Sequence, residues 1–129
     1  MYYISAQLWK ISGTKLINKD LQLRNQEQSN KDWKIPSSGT DGNLEETGRG
    51  KIIGIRQKTD CRFGPKTALQ KRGAKYFDCP PVSDSQRWLR SDNSSDGWFT
   101  LENQANGLFL TSIRKDQYEL KGKLIFLQR

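Results

Sequence analysis

Apolar residues recur along this chain in short alternating runs of four to six, cut by Gly, Asn and Asp. The clearest case is "WFTLENQANGLFLTS", Trp98 to Ser112, in which two such runs flank Asn106-Gly107. Period-two alternation between turn residues is strand patterning. No stretch keeps the helical period through three turns. The pattern predicts strands at Trp9–Ser12, Lys15–Asn18, Leu21–Asn25, Trp33–Ile35, Asn43–Glu46, Lys51–Arg56, Thr67–Gln70, Arg87–Arg90, Trp98–Glu102, Leu108–Thr111, Tyr118–Leu120 and Leu124–Leu127. An all-β chain of about twelve short strands is therefore expected.

The runs also repeat. Trp33 heads "WKIPSSGTDGNLEETGRGKIIGI" and Trp88 heads "WLRSDNSSDGWFTLENQANGLFLTS", with Asp-Gly at the same offset in both, Asp41-Gly42 and Asp96-Gly97. Each continues into a strand, then Gly50 or Gly107, then a second apolar run. A shorter relative, "QLWKISGTKLINKDLQLRN", starts at Gln7, and its Gln7-Leu8-Trp9 matches Gln86-Arg87-Trp88. Internal similarity outranks local propensity as a fold signal. One domain over 1–129 is expected, in three degenerate units of roughly 1–30, 31–84 and 85–129. Gln and Trp two apart on a strand face the same side. Trp9, Trp33 and Trp88 are thus expected to fill a shared core, while Gln7 and Gln86 tie backbone groups that would otherwise be buried unpaired. Trp98 has no counterpart in the other units, so a core position and an exposed platform are both open to it.

Three strand-rich units headed by Gln-x-Trp resemble the β-trefoil of the ricin-B-type lectins. The resemblance covers nearly the whole chain and rests on "QLW", "QRW" and the Trp98–Ser112 run. It implies a non-catalytic carbohydrate-binding module. In that family a sugar site uses an Asp just after the hairpin strand, a downstream aromatic platform, and an amide to complete the hydrogen bonding. The corresponding positions here are Arg24, Gly54 and Thr111, none of them acidic. The third unit keeps the better set, with Thr111, Asp116, Gln117 and Tyr118 as the candidate sugar-binding residues. A plain structural role, Tyr118 as a strand aromatic and Asp116 as a turn residue, stands beside that one.

Charge adds a second direction. The net charge is +8, and nine of the 22 basic residues but one of the 14 acids lie between Arg49 and Lys75. That leaves thirteen of each elsewhere. Such a segment on a neutral body suits an anionic partner or simply a solvated face. Lys66, Lys71, Arg72 and Lys75 are the candidate anion-binding residues, for a sulfated polysaccharide or an acidic lipid. Nucleic acid is disfavoured, because aromatics interleave poorly with the cluster. A protein-interaction trefoil, such as a protease inhibitor, is a third reading.

The chain has no histidine, which excludes Ser-His-Asp and Cys-His catalysis. It lacks a phosphate-cradling glycine loop, and Glu45 and Glu46, adjacent on a strand, point to opposite faces. No enzymatic activity, cofactor or metal is expected. Cys61 and Cys79 bracket an irregular stretch at a spacing wrong for zinc. A disulfide between them, which would place the protein in a secreted or extracellular setting, and two buried free thiols are both open. No run approaches the ~20 apolar residues of a membrane span, and "MYYISAQLWK" lacks the form of a signal peptide. A single weak sugar site would favour a homodimer or a place in a longer chain.

Overall fold

The structure, a computed structural model, describes residues 3–55, 84–92 and 95–123. Within them the chain is mostly β, in antiparallel sheets, with few helices. The strands are β1 (Trp9–Ser12), β2 (Lys15–Asn18), β3 (Trp33–Lys34), β4 (Asp41–Gly42), β5 (Glu45–Glu46), β6 (Lys51–Ile52), β7 (Trp88–Asp92), β8 (Phe99–Asn103), β9 (Phe109–Arg114) and β10 (Gln117–Lys121). The expected strands at Thr67–Gln70 and Leu124–Leu127 lie outside the described residues, as do Cys61, Cys79, Lys66, Lys71, Arg72 and Lys75.

One expected strand is corrected. Leu21–Asn25 is not extended; Lys19–Leu23 form a short helix, α1. Asn18 caps it, its side-chain oxygen accepting from the backbone N–H groups of Asp20 and Leu21 at 3.1 and 3.2 Å. Asp20 in the first turn complements the helix N-terminus. Capping thus wins over the Leu21/Leu23 alternation, leaving Leu21 buried and Leu23 exposed.

The strands form two antiparallel sheets, linked through single contacts and the chain itself. β1 pairs β2. Lys15 bridges to Asp32, and the Trp33 N–H donates to Thr14 O at 2.8 Å, which brings β2 to β3. β3 pairs β5 through Trp33 and Glu46. β4, on the same run of chain as β5, pairs β7 through Gly42 and Trp88. β7 pairs β8, and β8 returns to β1 through Phe99 and Trp9. Each tryptophan-headed strand is therefore clamped between its own hairpin partner and the preceding unit.

The same local device appears three times. Trp9, Trp33 and Trp88 lie across from Asn18, Glu46 and Asn103. The residue after each partner donates its N–H to the carbonyl just before the tryptophan: Lys19 to Leu8 at 3.0 Å, Thr47 to Asp32 at 2.8 Å, Gln104 to Arg87 at 3.0 Å. Two positions before each partner stands a buried leucine, Leu16, Leu44 and Leu101. Those three leucines, the three indoles, Phe99 and Leu110 make the core.

The indoles also reach between units. Trp9 Nε1 donates to Leu110 O at 3.0 Å, in the third unit, and Trp88 Nε1 donates to Ile53 O at 2.8 Å, in the second. Leu110 and Ile53 each lie three residues past the turn glycine of their unit, Gly107 or Gly50. The third such bond, from Trp33 into the first unit, is missing, and Trp33 Nε1 is buried without a partner. The cause is local. Seven residues past the tryptophan's partner, where Leu110 and Ile53 stand in the other two, the first unit has Asn25, just beyond α1 and at a positive φ of 55.

Candidate functional site

The third-unit hairpin, β9 and β10, is built by alternation and a tight turn. Register pairs Tyr118 with Ser112 and Glu119 with Thr111, with a bulge between Gln117 and Tyr118. Asp116 occupies the turn at φ 58, a left-handed conformation that Asp tolerates. Cross-strand partners share a face and neighbours alternate. Tyr118 and Ser112 therefore lie on one face of the hairpin, and Thr111 and Glu119 on the other.

The four candidate residues are thus not brought to one point. Thr111 is only 1% exposed, its hydroxyl donating to Phe109 O at 2.9 Å. Gln117 is exposed. Asp116 and Tyr118 are half-buried and close enough for the carboxylate to act on the phenol. Tyr118 packs toward the interior, its ring centroid 5.9 Å from that of Trp9.

Tyr118 is electrostatically marked. Burial, then the negative charges of Asp116 and Glu46, push its hydroxyl up to about 12, with a hydrogen bond to Ser29 pulling the other way. An unfolded tyrosine ionises near 10, so the folded chain holds this proton more tightly. The associated stability is whole below pH 10 and disappears as pH rises through 12. Urea melts between pH 9 and pH 12 should show the wild type losing about 2 kcal/mol more than Tyr118→Phe. Parallel curves would show that the phenol is not held in this environment.

The three positions without the expected acid, Arg24, Gly54 and Thr111, are each occupied for a local reason. Arg24 ends α1 and pairs Asp20 at 2.9 Å. At Gly54 a Cβ would sit 2.7 Å from Gln86 Cγ and 2.9 Å from Ser85 O, so no side chain fits. Thr111 is sealed.

A cleft of about 340 Å3 lies between the second and third units, lined by Ile53, Gly54, Ile55, Trp88, Leu110 and the run Tyr118–Leu120. It is largely apolar; Trp88 forms its buried floor, Tyr118 is its half-buried aromatic, and Glu119, whose carboxylate pairs Lys121 at 3.1 Å, is its acidic residue. Glu119 is the residue that sequence reasoning missed. Its signal was its place one residue beyond Tyr118, on the opposite face of the same strand. A second missed group is Asn18 with Asn103, both fully buried. Their amides donate to Ala6 O at 2.9 Å and Ser85 O at 3.0 Å, each three residues before the tryptophan. Gln7 adds a tie to Gly122 O at 2.9 Å. In the second unit Glu46 takes the asparagine's place, buried against Arg49 at 3.2 Å and Lys31 at 3.9 Å.

Among the described residues there is no cluster of His, Cys, Asp and Glu able to hold a metal ion, and no helix is long and apolar enough to cross a membrane. Compared with family models, with curated proteins and with solved structures, the chain matches none.

Proposed function

We propose that the chain is a β-trefoil that works as a non-catalytic carbohydrate-binding module of the secreted, lectin-like kind. The thrice-used tryptophan device, with each tryptophan strand in contact with the unit before it, supports the trefoil. The sugar reading is carried by the cleft between the second and third units, where aromatic surface and a single carboxylate meet. Its volume, about 340 Å3, lies at the small-molecule end of binding-site sizes. A pyranose presents an apolar face that covers apolar and aromatic side chains, and an edge of hydroxyls that a carboxylate accepts from. Tyr118 and the isoleucines supply the first, and Glu119, which also borders the cleft, the second.

A glycan array at low and at raised salt tests this. Binding to a neutral glycan is expected, little changed by salt, and at least tenfold weaker for Glu119→Gln, since a buried hydroxyl loses a charged acceptor. An array silent at both salts would overturn the reading and leave a protein-interaction trefoil. Binding confined to sulfated glycans and abolished by salt would move the activity to the basic segment 49–75.

A further inference from the structure

The cleft has hydrocarbon on both walls. Ile53 and Ile55, either side of Gly54, stand on the second-unit side. Tyr118 and Leu120 stand on the third-unit side, where register sets them opposite Ser112 and Leu110 on one face of the hairpin. All four are half-buried, so each keeps surface that a ligand can cover. The floor is shut, with Trp88 and Leu110 each 1% exposed.

Both walls are fixed. The N–H groups of Ile53 and Ile55 donate to Leu44 O at 3.1 Å and Ser85 O at 2.9 Å, and Ile53 O accepts from Trp88 Nε1 at 2.8 Å. On the other side β10 is held by β9. A ligand therefore meets a preformed cleft and does not have to order it.

The polar groups sit at the border. Alternation turns Glu119 to the opposite face of β10 from Tyr118 and Leu120, and its carboxylate pairs Lys121 at 3.1 Å, with both side chains reaching solvent. The one donor in the floor, Trp88 Nε1, is engaged by Ile53 O. The described residues thus offer hydrocarbon inside, and an acceptor and a donor at the edge.

A bare pyranose does not match that distribution. It carries hydroxyls around its whole rim, and between two hydrocarbon walls it takes several of them out of water with no partner. We propose that the ligand of the cleft is an alkyl glycoside. The alkyl group lies between the isoleucines and Leu120, and the sugar stays at the border against Tyr118, its hydroxyls donating to Glu119 and accepting from Lys121. The sugar rests on the carbohydrate-binding reading above; the alkyl group rests on the two walls.

The test is an NMR titration of 15N-labelled protein, followed at the Gly54 and Leu120 amides. The probes are methyl, propyl and pentyl β-glucosides and the matching β-galactosides. In one series at least, affinity should rise about fourfold for each methylene that enters the cleft. Ile55→Ser should shrink that step, and Leu120→Ser, on the other wall, serves if the first variant folds poorly. Glu119→Gln should weaken every member of the series alike and leave the step unchanged. Methyl and pentyl glycosides of equal affinity, or a step undiminished in the wall variants, would overturn the alkyl inference alone. So would silence from both series beside a positive array with neutral glycans. 1-Pentanol binding as tightly as the pentyl glycosides would overturn the sugar reading of the cleft as well.

Discussion

Trp88→Ala is expected to destabilise the domain by roughly 3–5 kcal/mol, enough to unfold much of it. The ring is 1% exposed and sits where three constraints meet. It packs among the core leucines, its strand is paired on both sides, and its Nε1 closes the bond to Ile53 O. Truncation opens a large cavity and leaves that carbonyl without its donor. A gentler pair of variants separates the two losses. Trp88→Phe keeps most of the volume but drops the bond, whereas Trp33→Phe gives up an N–H that has no partner. Chemical denaturation should therefore find Trp88→Phe more costly than Trp33→Phe by about 1 kcal/mol or more. Equal costs would mean that the bond from Trp88 into the second unit contributes nothing.

Gly54→Ala should cost about 3 kcal/mol, at the upper end for overpacking, although it adds one methyl group. The new Cβ would meet Ser85 O at 2.9 Å and Gln86 Cα at 3.1 Å, and backbone does not step aside as a side-chain tip does. Ser85 O is itself committed, accepting from the Ile55 N–H at 2.9 Å and from Asn103 Nδ2 at 3.0 Å. Displacing it strains one bond between units and one within the third. Thermal unfolding of Gly54→Ala beside Gly48→Ala makes the comparison, since Gly48 has open space around it and so loses only what its positive φ of 83 imposes. A Gly54 variant no worse than the Gly48 one would show that the second unit does not press against Ser85 and Gln86.

Much of the strand pattern was legible because it is local. β1 and β2 fall where alternation about Gly13 puts them, and β8 begins one residue later than Trp98. Leu21–Asn25 misled because Leu21 and Leu23 alternate as a strand does, while the decisive groups, Asn18 and Asp20, precede them. The candidate site was less legible. Thr111 and Tyr118 are close in sequence, but the hairpin register sends them to opposite faces. The cleft could not be read at all, since it depends on residues 53–55 lying across from β10. The substitution of Glu46 for an asparagine was equally hidden until register set it opposite Trp33.

The bond from Trp9 to Leu110 spans 101 residues. A ribosome adds residues at a rate of several per second, so the first hairpin emerges well before the strand that must cover it. Until then β1 presents an unpaired edge and a naked indole, the kind of surface chaperones hold and neighbouring nascent chains adhere to. Long-range closure of this sort also slows refolding toward the millisecond-to-second regime of β-rich domains.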